Sequence, residues 1–102
     1  MAKKKIATEP FDPAEFLTTD EAIVAYLEDA LEEGDPAAML EAIGVVARVR
    51  GMSKIARDTA LGRESLYKSL SADGNPEFRT VLSVLKALGA SVSVEAIREP
   101  AA

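Results

Sequence analysis

The stretch "SKIARDTALGRESLYKSL", residues 53–70, decides how this chain folds. Its spacing predicts a short helix over 54–59 that Ser53 caps, a break at Ala60, Leu61 and Gly62, and a second short helix over 63–70. Gly62 starts that second helix as an acceptable N-cap without a side-chain oxygen. Two helices cross this tightly only if the contact residues are small and the turn is anchored. Ala56 is small where the second helix approaches, Leu61 plugs the turn into the core and Leu66 anchors the second helix, with Ile55 and Leu70 adding contacts. This is the spacing of a helix-turn-helix. A five-helix bundle whose small residues merely allow close packing would share part of it.

Upstream, Ile23, Val24, Leu27, Ala30 and Leu31 recur at helical spacing behind Thr18 and Glu21, a capping-box pair. A helix is expected over 20–33, stopped by Gly34. Asp35 and Pro36 then supply the cap and a favoured first-turn residue for a helix with Met39, Leu40, Ile43, Val46 and Ala47 on its apolar side. That helix ends near Gly51, with Arg48 and Arg50 at the negative end of its dipole. Downstream, Asn75 and Pro76 repeat the cap-plus-proline start for a last helix holding Phe78, Val81, Leu82, Leu85 and Leu88, which Gly89 closes. Val92, Val94 and Ala96 alternate with Ser93 and Glu95, as in a short strand or an extended tail. Residues 1–17 contain Pro10 and Pro13 and no sustained period, the pattern of a flexible or loosely docked arm. The expected plan is all-α: an arm at 1–17, a five-helix domain at 18–90, and a short strand or tail at 91–102.

A chain of 102 residues has room for one core and not for two. It has no Cys and no His, which removes disulfides, thiolate and imidazole chemistry and the ordinary zinc sites. Nothing calls for a metal or another cofactor, and an enzyme is not expected. Asp20, Glu28, Asp29, Glu32 and Glu33 resemble a ligand set only until they are placed on a helix, where they fall around its solvated side. Lys3, Lys4 and Lys5 look like the start of a signal peptide, but Ile6 and Ala7 give way at once to Thr8, Glu9 and Pro10. No apolar run approaches the roughly 18 residues of a membrane helix, so a soluble cytoplasmic protein is expected.

The charge is split along the chain. Between Glu9 and Ala47 there are eleven acidic residues and no Lys or Arg, whereas 48–79 holds seven basic residues against four acidic ones. The formal net charge of −5 disfavours nucleic acid as a whole-molecule argument. Phosphate, however, senses the field within a Debye length of roughly 8 Å at physiological salt. On the second short helix Leu66 and Leu70 form the buried face, leaving Arg63, Glu64, Ser65, Tyr67, Lys68 and Ser69 outside it. Arg63 has the fork geometry for a guanine edge, Glu64 accepts from cytosine N4, and Ser65 reaches a base or a phosphate. Tyr67 and Lys68 suit the sugar-phosphate backbone, with Lys54, Arg57, Asn75 and Arg79 placed to help. A half-packed amphipathic ring explains Tyr67 equally well.

Two quoted patterns carry a family resemblance. "LGRESLYKSLS.DGNPEF.T.L.VLKALG" and "FDPAEFLTTDEAIVAYLEDALEEGDP..ML.AIG.VAR..GMS.IA" resemble the lambda-repressor-like (Cro/C1, XRE) helix-turn-helix domains of HigA-like addiction-module antidote proteins. The resemblance runs from Phe11 to Val94. It implies a five-helix DNA-binding domain, dimeric on a palindromic operator, that represses its own operon and neutralises a small RelE/ParE-superfamily toxin. By position, Arg63, Glu64, Ser65, Tyr67 and Lys68 fall on the recognition helix. Ser53 falls where many such domains have a phosphate-contacting Gln, and Thr59 and Ala60 replace the usual apolar residue and Gly. An RNA-cleaving toxin needs a basic surface, so Glu28, Glu32 and Glu33 become candidates for holding it. The alternative is that these acids keep the domain soluble and orient it on DNA by repulsion. The last helix around Leu82 to Leu88 and the 92–97 segment are the expected dimer contact. A stand-alone regulator without a toxin is the second reading, and a helical adaptor without DNA binding the third.

Overall fold

The computed structural model describes residues 12–97. Six helices follow one another: α1 (Pro13–Phe16), α2 (Asp20–Glu32), α3 (Pro36–Arg50), α4 (Met52–Thr59), α5 (Arg63–Ser69) and α6 (Phe78–Ala87). The helix α3 is the central one, packed against α1, α2 and α4, and α4 in turn packs against α5 and α6. Ile43, Val46 and Ala47 of α3 are fully buried, joined in one core by Ile23 and Leu27 of α2, Ile55 of α4, Leu66 and Leu70 around α5, and Val84, Leu85 and Leu88 around α6.

The starts and stops follow side-chain chemistry, with four departures from the expected positions. Asp35 caps α3 as expected, its Oδ1 accepting from the Ala37 N–H at 3.0 Å, with Pro36 behind it. The same Asp-Pro device at Asp12 and Pro13 starts α1, whose four residues are too few to show a period. Part of the arm expected at 1–17 is therefore helical, and Leu17 is only 2% exposed; residues 1–11 lie outside the described residues. The cap of α2 is Thr19 rather than Thr18: its Oγ1 accepts from the Ala22 N–H at 3.1 Å. The buried Leu17 fixes the chain two residues before the cap, and Asp20 and Glu21 then occupy the first turn, at the positive end of the dipole. Ser53 caps nothing. Gly51 turns the chain with φ +105 and α4 begins at Met52, which is 3% exposed. Starting two residues earlier than expected buries that side chain, which outweighs a hydroxyl cap worth about 1 kcal/mol.

The last helix also starts later than the Asn75–Pro76 pair predicts. Glu77 precedes α6 and makes no side-chain cap. Pro76 forces the residue before it into extended backbone, and the loop is already committed by Gly74, whose N–H donates to the Ser71 carbonyl. A Cβ on Gly74 would collide with the Ser69 carbonyl oxygen, so the loop lies directly on the end of α5. Beyond Gly89 the expected strand is absent among the described residues: 90–97 run without secondary structure. Val92, Val94 and Ile97 are 55%, 94% and 82% exposed. A lone strand has no partner for its N–H and C=O groups within one copy of the chain.

Candidate nucleic-acid interface

The segment 52–70 folds as two helices joined by a three-residue turn. The N–H of Leu61 donates to the Ala56 carbonyl at 3.1 Å and that of Ala60 to the Arg57 carbonyl at 3.4 Å, the double bond pattern that closes a helix with a left-handed residue. That residue is Ala60, at φ 59 and ψ 29, where glycine is the ordinary occupant. Thr59 contributes by donating its hydroxyl to the Ile55 carbonyl at 2.8 Å. Ala56 and Leu61 are half-buried against the core, and Ile55, Leu66 and Leu70 are buried, as the spacing predicted.

A close approach fixes the end of α5 as well. A Cβ on Gly44, in the middle of α3, would overlap the Leu70 carbonyl oxygen. The backbone of α5's last turn therefore rests on α3, a contact the sequence signals only by a glycine inside an otherwise good helix. With Leu66 and Leu70 turned inward, Arg63, Glu64, Ser65, Tyr67 and Lys68 are all exposed. Ser53, Lys54 and Arg57 on α4, Asn75 in the following loop and Arg79 on α6 are exposed too. The packing of α4 against α5 and α6 joins their elements into one body.

Several of these side chains are held. The Arg63 guanidinium carbon lies 5.7 Å from the centre of the Tyr67 ring, a cation–π arrangement one helical turn apart. Tyr67 thus braces Arg63 and is itself 40% exposed. Lys54 Nζ donates to Asp58 Oδ2 at 2.8 Å. That hydrogen bond holds the Asp58 carboxyl below its ordinary range against an opposing effect of desolvation, with the positive charges of Lys54 and Arg57 adding to it. Asp58 escaped the sequence reading, although opposite charges four apart on a helix are its signal. Arg79 Nε lies 3.6 Å from Glu77 Oε1. Arg50 Nη2 donates to Asp20 Oδ1 at 2.7 Å, which commits it to the start of α2.

The three carboxylates expected to meet a partner border two different depressions. Glu28 and Glu32 border a groove between α2 and residues 90–95, whereas Glu33 lines a separate cavity of about 500 Å³ between α2 and α3 with Asp29, Glu41 and Arg48. Among the described residues no group of three or more acidic, Cys or His side chains converges as a metal site would require. No described helix is long and apolar enough to cross a membrane. In the last helix Val84, Leu85 and Leu88 belong to the core, so of its expected contact residues Leu82 remains outside, 38% exposed, with Phe78 at 72%.

The fold and this surface define a class: a small all-helical domain with a tightly turned helix pair on a basic face and an acidic helix elsewhere. The model of the probable addiction module antidote protein family matches residues 7–96, and the chain belongs to that family. An uncharacterised protein of Haemophilus influenzae is 49% identical over 88 residues, which cover 86% of this chain and 91% of that protein. No solved structure matches significantly.

Proposed function

We propose that the protein is the antitoxin of a type II toxin–antitoxin pair, binding operator DNA through the α4–α5 helix-turn-helix and neutralising a toxin of the RelE/ParE superfamily while repressing its own operon. The observation that carries the DNA-binding half is the presentation of α5. Its inward face is occupied by Leu66 and Leu70, and Arg63, Glu64, Ser65, Tyr67 and Lys68 stand exposed on a helix short enough to lie in a major groove. Family membership supports the antitoxin half, since an antidote implies a toxin. The protein acts by occupying surfaces, without catalysis. Arg63 reads a base edge with Tyr67 bracing it, and Lys54, Arg57, Lys68, Asn75 and Arg79 contact phosphate. Ser53, at the start of α4, and Glu64 and Ser65, on the first turn of α5, complete the interface.

Two copies assemble on the operator through Phe78, Leu82, Val94 and Ile97. These four are large apolar side chains left exposed, and two copies double a footprint that one small domain leaves short. The test is a titration of promoter DNA across a salt series with the wild-type chain, Arg63→Ala and Lys68→Ala. Sequence-selective binding that Arg63→Ala relaxes supports the reading; absence of binding at low salt rejects it. Sedimentation across a concentration series checks the assembly, and a mass that stays monomeric removes the dimer.

A further inference from the structure

The groove between α2 and the C-terminal tail has an apolar floor and an acidic border. Its volume is about 420 Å³. Val24, Leu31 and Val92 open onto it at 37%, 59% and 55% exposure, three large apolar side chains displayed on one groove. Glu28, Glu32 and Glu95 border it, and among the described residues no Lys or Arg lines it. Alongside Val24 and Glu28 a second depression of about 340 Å³ continues toward Asp20 and Glu21, so the trough follows most of α2. The 13 residues of α2 span about 20 Å at about 1.5 Å per residue.

We infer that this trough docks a basic, apolar-faced segment of the toxin, about three helical turns long, whose apolar side covers Val24, Leu31 and Val92 while its Lys and Arg meet Glu28, Glu32 and Glu95. The inference rests on the antitoxin reading and locates the partner's seat within it. Charge complementarity selects the occupant. DNA is repelled by the acidic border, and a second copy of this chain would bring the same three carboxylates against themselves. Among the described residues Glu28, Glu32 and Glu95 are in no ion pair that a partner would have to break. Glu33, facing the α2–α3 cavity, lies outside the seat.

The test uses the full chain and the small protein encoded by the adjacent reading frame, with affinity measured by calorimetry and folding by circular dichroism. Leu31→Lys is expected to weaken the complex by about 30-fold or more as a central apolar contact, and the Glu28→Lys/Glu32→Lys pair by about 10-fold or more, with reduced salt dependence. Glu33→Lys is expected to stay within about 3-fold of wild type, a surface change away from the seat. Leu31 and both carboxylates are exposed, so folding survives these changes, and promoter binding by the same preparations reports that independently. Undiminished affinity in both groove variants overturns the inference while leaving the antitoxin reading in place. The same holds if Glu33→Lys alone disrupts the complex, or if Leu31→Lys only dissolves a homodimer. No complex with wild-type protein at any salt overturns both.

Discussion

The two charged surfaces of this molecule keep their side chains in opposite states. On α2, Glu28, Asp29, Glu32 and Glu33 are in no ion pair among the described residues, and of the acids that begin the helix only Asp20 is tied, to Arg50. On the basic side three of the side chains have partners: Lys54 against Asp58, Arg63 against Tyr67, Arg79 near Glu77. Braced side chains have less rotamer freedom left to lose on binding and fix a register; unpaired ones attract without choosing one. The contrast is what the proposed division calls for, with one surface reading DNA and the other holding a partner.

Both surfaces hang on the same core, and the strongest way to break the contrast is to remove that shared support. Gly44→Ala drives a methyl into the Leu70 carbonyl and is expected to cost about 2–3 kcal/mol, as overpacked cores do. Urea denaturation reads the loss, and DNA and partner binding should fall together. A loss below about 0.5 kcal/mol would mean that α3 and the end of α5 separate easily and that the surfaces are less coupled than the packing implies.

A selective break comes next in size. Arg63→Ala is expected to cost about 2 kcal/mol on the operator and to relax the preference at one base pair. Lys68→Ala should weaken all sequences alike and lower the slope of log affinity against log salt by about 0.9. Neither should touch partner binding. If Arg63→Ala behaves like Lys68→Ala, the brace on Tyr67 serves packing and not readout. Tyr67→Phe separates these further: it keeps the ring under Arg63 and so should keep specificity, whereas Tyr67→Ala should lose part of it.

The stiffness of the basic side also has a backbone source, visible by comparing two helix ends. Ala60 and Gly89 both stand in left-handed conformation, and the residue after each donates back across the turn, Leu61 to Ala56 and Ala90 to Leu85. An alanine there costs about 1 kcal/mol of strain, and glycine's extra freedom in the unfolded chain offsets about half of the relief. Ala60→Gly is therefore expected to stabilise by about 0.5 kcal/mol and Gly89→Ala to destabilise by about the same amount in thermal unfolding. A destabilised Ala60→Gly would show that the turn between α4 and α5 draws on the alanine's rigidity.

How much of this was legible follows from the kind of force at work. Ile43, Val46, Ile55, Leu66 and Leu70 announce themselves by period, and the Asp35–Pro36 start by local chemistry, because both are properties of neighbours in sequence. Val24 and Leu31 carry the same period as Ile23 and Leu27 yet end outside, since the far edge of an apolar stripe is covered only if another element arrives there. The tail that partly covers them has no signal for where it lies. Thr18 and Thr19 are chemically equivalent caps, and the choice is made by the burial of Leu17, a tertiary event. Likewise the contact of Gly44 with Leu70 joins residues far apart in sequence. On the candidate interface the exposure of the named residues was legible, whereas the braces that orient them were only half so: the Lys54–Asp58 spacing was there to be read, and the stacking of Arg63 on Tyr67 depends on rotamers.

The smallest expected effect tests that brace directly. Asp58 holds Lys54 at 2.8 Å, so a lysine counted toward phosphate is partly neutralised before DNA arrives. Asp58→Asn releases it, and the salt slope of DNA binding should steepen by up to about 0.9, with tighter binding to every sequence and no change in preference. Acid should act in the same direction. Because the carboxyl sits below its ordinary range, the pair's contribution is present above the unfolded-state value and is lost as pH falls through the folded one. Lowering the pH through that window should therefore loosen α4 slightly while strengthening non-specific DNA binding. In Asp58→Asn this part of the pH response should vanish. If it persists unchanged, another carboxylate near the basic side, such as Glu64 or Glu77, governs the field at the interface, and the Lys54–Asp58 pair is only a helix-surface contact.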